Sequence, residues 1–186
     1  MSLVNAFEND KYEEEYQEYR RQTMPSRNHS LTVDRLTGLL FNDERFTVMP
    51  ELSLDISQTD LSQFELKAKD ELVPDICLYS YELDKSEPVD EIKMAEMPLL
   101  AIDVLSPRQG VDDIIVKFQA YFALGVKSCW LVIPATESIT IYSQPHQYKT
   151  FGTEATEVID EIMDIRLPIK KVFRRAPNPV GVECET

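Results

Sequence analysis

Apolar residues recur along this 186-residue chain with two different periods. Leu31, Leu36, Leu39 and Leu40 share one stripe at helical spacing and predict a helix over 30–42, with Asn28 or Ser30 as its cap. The segment "RFTVMPELSLDI" at 45–56 reads as extended, and Pro50, which has no N–H to donate, places it at a sheet edge or a break. Residues 57–72 are polar and turn-like. "VPDICLYS" at 73–80 and "PLLAIDVLS" at 98–106 read as strands, the second so uniformly apolar that it belongs at the centre of a sheet. Between them, 81–97 is an acidic connection with one short helical turn. A second helix follows. Val111, Ile114, Ile115, Phe118 and Phe122 define its buried face, and Gly125 ends it. "SCWLVIP" at 128–134 is another apolar strand. "SITIYS" and "QYKTFG" flank "QPH" and predict a hairpin, and "EVIDEIMDIRLPIKKVF" closes the domain.

The order is helix, three strands, helix, strand, with an added C-terminal hairpin. Strand, helix, strand over 98–134 implies one parallel crossover in an otherwise mixed sheet. The fold class is α/β, an α+β arrangement around a mixed sheet. One domain over 25–175 is expected. Before it comes a charged helical arm at 1–24, where Tyr12, Tyr16 and Tyr19 recur at helical spacing, and after it a mobile tail at 176–186.

One residue breaks the apolar pattern. Asp103 sits inside a strand whose neighbours are Leu99, Leu100, Ile102, Val104 and Leu105. A buried, unpaired charge costs several kcal/mol, about what a whole domain has to spare. If the strands at 74–80 and 98–105 pair antiparallel with Ser80 opposite Pro98, Asp75 lies opposite Asp103. Opposed residues share a face, with Cβ atoms about 5 Å apart. Two carboxylates there repel unless a cation or a shared proton intervenes. Such oxygen ligands suit Mg²⁺ or Mn²⁺. On the following helix, Asp113, Lys117 and Tyr121 are spaced i, i+4, i+8 along the edge of the buried face. An Asp–Lys pair at that spacing is ordinarily a weak surface contact. Here Asp103 requires a positive partner, and Lys117 is the candidate.

Charge and composition narrow the classes. The formal net charge is −14, the wrong sign for holding nucleic acid by bulk electrostatics, although a local basic strip or bound metal can offset it. Cys77, Cys129 and Cys184 are odd in number and widely spaced, which fits reduced thiols in a cytoplasmic protein. No run approaches the ~18 apolar residues of a membrane span, and the N-terminus has no signal-peptide pattern.

"VPD" at 73–75, "AIDVLSP" at 101–107 and "DDIIVKFQAYFALGVKSCWLVIP" at 112–134 carry a further signal. Together they resemble the bacterial Uma-type restriction-endonuclease family of the PD-(D/E)XK nuclease superfamily. Pro74, Asp75, Val104, Leu105, Ser106, Pro107, Asp113, Lys117, Tyr121, Gly125, Val126 and Trp130 fit its ordered pattern. The resemblance is close over 70–145. It implies a restriction endonuclease-like core and metal-dependent hydrolysis of DNA phosphodiester bonds. Asp75, Asp103 and the Val104 carbonyl would hold Mg²⁺ or Mn²⁺, Lys117 would orient water or stabilise the transition state, and Asp113 and Tyr121 would support them. Arg108 and Lys127 are the nearby cations for substrate, and a homodimer is implied. The superfamily often places its lysine two residues after the second acid, where this chain has Leu105; the Uma-type family moves it to the helix, at Lys117. The second acid is Asp103 where the family usually has Glu. The family's further N-terminal glutamate would be Glu18.

Other residues take simpler readings. His29 is a loop or helix-start residue, Trp130 is core, and Lys170, Lys171, Arg174 and Arg175 form a solvated basic segment. Two rivals stand beside the nuclease. One is a nuclease-fold protein without catalysis, acting as an acidic oligomeric interaction module. The other is a small-molecule hydrolase, which the lack of a Gly-rich phosphate loop or nucleophile elbow disfavours.

Overall fold

A computed structural model describes residues 24–173, apart from 65, 67–69 and 86–90. The arm at 1–23, including Glu18, and the segment from 174 onward, with Arg174, Arg175 and Cys184, lie outside the described residues.

The first helix starts earlier than its leucines suggest. Helix α1 spans Arg27–Leu40, and its cap is Ser26, whose Oγ accepts the N–H of His29 at 3.2 Å. Asn28 and Ser30 lie inside the helix rather than capping it. Buried positions run His29, Thr32, Leu36, Leu40, the same stripe extended back to the first turn. Ser26→Ala is expected to cost about 1 kcal/mol, read as a lower urea midpoint with an unchanged slope.

Six strands form the main sheet. They are β1 (Phe46–Pro50), β4 (Ile76–Ser80), β5 (Leu100–Val104), β6 (Ser128–Ile133), β7 (Ser138–Gln144) and β8 (Gln147–Phe151), in the order β1-β4-β5-β6-β7-β8. All neighbours are antiparallel except β5 and β6. Those two are joined by α2 (Val111–Ala123), the one crossover, which ends at Gly125 with φ 98°. Pro50 falls on the edge strand, where its missing N–H breaks no inner ladder.

The 57–72 region is not wholly turn. Glu71–Leu72 is a strand, β3, that pairs antiparallel with β2 (Leu54–Asp55). The 81–97 connection begins with a 3-10 turn and returns through a bridge between Leu54 and Met94. A second hairpin, β9 (Glu157–Asp160) with β10 (Ile165–Pro168), leads into the short α3 (Ile169–Val172).

Strand alternation splits the core in two. Ile76, Leu78, Leu100, Ile102, Trp130 and Val132 pack towards α1 and the β9–β10 hairpin. Cys77, Tyr79, Ala101, Cys129, Leu131 and Tyr142 pack towards α2 and the β2–β3 ribbon. The hairpin is tied to β6 by a buried carboxylate. Asp160 Oδ2 accepts from Ser128 Oγ at 2.6 Å and Trp130 Nε1 at 2.7 Å, while Oδ1 accepts the N–H groups of Ile162 and Met163 at 2.9 and 3.0 Å.

Candidate active site

The β4–β5 register decides which carboxylates meet. Ile76 pairs with Ile102, Cys77 with Ala101 and Leu78 with Leu100. Continued one step past the start of β4, this register brings Asp75 beside the Asp103–Val104 end of β5, where Asp103 is on the sheet face covered by α2. The two segments are tied there directly: Asp75 Oδ2 accepts the Val104 N–H at 2.6 Å.

Asp103 is 3% exposed. Its Oδ1 accepts a hydrogen bond from Lys117 Nζ, which also donates to the Val73 carbonyl at 3.3 Å. Among the described residues its Oδ2 is buried without a hydrogen-bond partner. Asp160 differs, since both of its oxygens accept two hydrogen bonds each. Burial pushes the Asp103 carboxyl up to about 6; the Lys117 ammonium opposes this and the Asp75 charge adds to it.

Lys117 reaches Asp103 because α2 is rotated about a quarter turn from its expected face. The buried positions are Ile114, Phe118, Ala120 and Tyr121, while Val111 is exposed and Ile115 and Phe122 are half-buried. Tyr121 is therefore core rather than edge. Its ring centroid lies 5.8 Å from Lys117 Nζ, and its hydroxyl is buried and unpartnered among the described residues. The physical reason is that Tyr121 and Ala120 fill the space under the helix, which draws Lys117 towards the sheet. Asp113 stands in the first turn, with its carboxylate against Gly110, the N-cap. An acid there complements the helix dipole.

The sheet separates the two basic residues expected near substrate. Arg108 is exposed in the loop after β5, at the Asp103 end. Lys127 precedes Ser128, which pairs with Leu100, so it lies at the opposite end of β5 and is not brought to the site.

His29 was not singled out by the apolar pattern, yet it joins this group. Its Nε2 lies 3.3 Å from Asp75 Oδ1. The sequence signal was present: the stripe of Leu40, Leu36 and Thr32 continued one step back lands on His29. Burial works to lower the imidazole pKa, but the contact with Asp75, its charge, the Val104 backbone and the Asp103 charge outweigh it, and the net shift is upward.

Both shifts act on stability in one direction. Asp103 has a folded pKa above its unfolded value, so its protonated form favours the folded state. That contribution is full below about pH 4 and is lost as pH rises through about 6. A raised His29 pKa stabilises below its unfolded value near 6.5 and is likewise lost at higher pH. The stability difference between Asp103→Asn and wild type is therefore expected to shift in favour of the variant as pH rises from about 4 to about 8. Urea unfolding of both proteins across that range measures it.

Among the described residues, no three or more His, Cys, Asp or Glu side chains are grouped to hold a metal ion. The donor set is two carboxylates with adjacent backbone oxygens. It fits a hard divalent cation that keeps several waters: the Oδ2 of Asp103 is a buried carboxylate oxygen with no hydrogen-bond partner among the described residues.

Known proteins agree with this frame. The Uma2 family model, described as "Putative restriction endonuclease", matches residues 7–169. Among solved structures, the chain is similar to "a putative nuclease belonging to DUF820 from Anabaena variabilis ATCC 29413", with a TM-score of 0.62 and 18% identity, over 81% of this chain and 82% of that one. At that identity the likeness shows the fold alone, a restriction endonuclease-like α/β arrangement. No curated protein matches the chain. Over most of its length, residues 7–169, the chain belongs to the Uma2 family.

Proposed function

We propose that this protein is a divalent-metal-dependent endonuclease acting on DNA. The observation that carries the reading is the pairing of Lys117 with a buried Asp103 whose second oxygen has no hydrogen-bond partner among the described residues, next to Val104, whose N–H holds Asp75. Asp75, Asp103 and the Val104 carbonyl would hold Mg²⁺ or Mn²⁺. When bound, the ion would polarise the scissile phosphate and lower the pKa of a water. Lys117 keeps Asp103 ionised near neutral pH against the cost of burial. Its ammonium also stands where it can orient the attacking water or meet charge building on the phosphate. The Val104 N–H fixes the orientation of the Asp75 carboxylate. Tyr121 forms the floor under the Lys117 ammonium, Asp113 steadies the start of α2, and exposed Arg108 is the candidate phosphate contact on the same end of β5. A homodimer would follow from the family resemblance, and the three widely spaced cysteines fit a cytoplasmic location.

A specific observation supports a rival. Lys117 and His29 already balance both carboxylates, and a net charge of −14 repels DNA, so the fold would also serve as a non-catalytic interaction module. Supercoiled plasmid incubated with Mg²⁺ or Mn²⁺ separates the two. The nuclease reading expects nicking that EDTA abolishes. No nicking with either ion, by protein that is folded, favours the rival.

A further inference from the structure

We infer that His29 is a positioning residue for the proposed metal site: it orients Asp75 from the sheet face opposite Lys117. The inference rests on the nuclease reading for its function, but its geometry stands by itself. His29 is 7% exposed and sits in the first turn of α1, where Ser26 holds its backbone N–H. Helix α1 packs on one sheet face and α2 on the other. The two carboxylates are thus gripped from both sides, Asp103 by Lys117 and Asp75 by His29.

The grip on Asp75 has two points. Oδ1 lies 3.3 Å from His29 Nε2 and Oδ2 accepts the Val104 N–H. A carboxylate has about four lone-pair sites, so two such contacts fix the plane of the group and still leave each oxygen able to accept a cation. His29 Nδ1 is buried without a partner among the described residues. The polar contacts of the imidazole, with Asp75 and with the Val104 backbone, both lie at this one site. A ring placed there only for packing would be better served by leucine, the residue that occupies the next positions of the same stripe at Leu36 and Leu40.

Removal of a group that orients a metal ligand ordinarily costs 10- to 100-fold in metal affinity or activity, roughly, across proteins. The test is a Mn²⁺ titration of wild type, His29→Ala and His29→Gln by calorimetry, with plasmid nicking over a range of DNA concentrations and thermal melting as a check on folding. His29→Ala is expected to raise the Mn²⁺ needed for half-saturation by about tenfold or more, with KM for DNA unchanged. His29→Gln, whose amide N–H can take the place of Nε2–H, should recover most of the loss. Nitrogen-15 shifts of the wild-type ring should show Nε2 carrying the proton, and Asp75→Asn should move them. Folded His29→Ala with wild-type Mn²⁺ affinity overturns this inference and leaves the nuclease intact. Wild type that binds no Mn²⁺ and nicks nothing overturns the nuclease, and with it the role of His29. Equal losses in His29→Gln and His29→Ala, or ring shifts indifferent to Asp75→Asn, overturn the positioning role alone.

Discussion

Lys117→Met is expected to lower metal-dependent plasmid nicking by about 100- to 1,000-fold under single-turnover conditions. The ammonium lies on Asp103 and beside the Val73 carbonyl, next to the segment that delivers Asp75. It is the cation the structure brings between the two acids and α2. A lost electrostatic contact at a reacting phosphate acts on the rate, not on DNA binding, so KM should change little. The same substitution leaves Asp103 buried without its counter-charge, and breaking a buried pair by removing one partner costs about 3–5 kcal/mol. That cost is largest where Asp103 is ionised, above about pH 6, and shrinks at lower pH as the carboxyl takes up a proton. Nicking must therefore be compared at a temperature where the variant is folded. Lys117→Arg is not expected to rescue, because a planar fork does not fit the compact place of an ammonium. Retention of near-wild-type rates by Lys117→Met removes it from the chemistry.

A stability loss of similar size is expected away from the site, at Asp160→Ala, by about 3–5 kcal/mol. Four donors converge on that carboxylate, and two of them, Ser128 Oγ and Trp130 Nε1, are buried in β6. Alanine takes that acceptor from all four and leaves the buried Trp130 Nε1–H without its partner, releasing the β9–β10 turn from the sheet. Trp130 is the chain's one tryptophan, so its fluorescence reports both the local loosening and the global unfolding. A urea midpoint within experimental scatter of wild type would show that the hairpin is held by its apolar contacts alone.

Much of this was legible in the sequence, for identifiable reasons. Asp103 stood out because a carboxylate in an apolar strand needs compensation, and the strand alternation then selected Asp75 as its neighbour. The register assumed from Ser80 and Pro98 is continuous with the observed Ile76–Ile102 pair. Lys117 followed from charge balance. The rotation of α2 was missed because Val111, Ile115 and Phe122 outweigh Ala120 and Tyr121 on any apolar count, while packing favours the flat ring of Tyr121 against the sheet. His29 was missed because a polar residue at a helix start reads as solvated until the stripe is traced through it. Lys127 looked close to the site in sequence, but a parallel register carries the start of β6 to the far end of β5. The β2–β3 ribbon, two residues on each side, is too short for any alternation to announce it. Asp160 gave no signal, because its four partners come from β6 and from a turn whose shape depends on them.

The central claim is that Asp75 and Asp103 together hold a divalent cation. Calorimetric Mn²⁺ titration of wild type, Asp75→Ala and Asp103→Ala tests it most directly, with no dependence on finding the right DNA. Saturable binding by wild type, lost in each alanine variant while the fold is retained, is the expected result. Binding of undiminished affinity in either variant, or none by wild type at millimolar Mn²⁺, would contradict it.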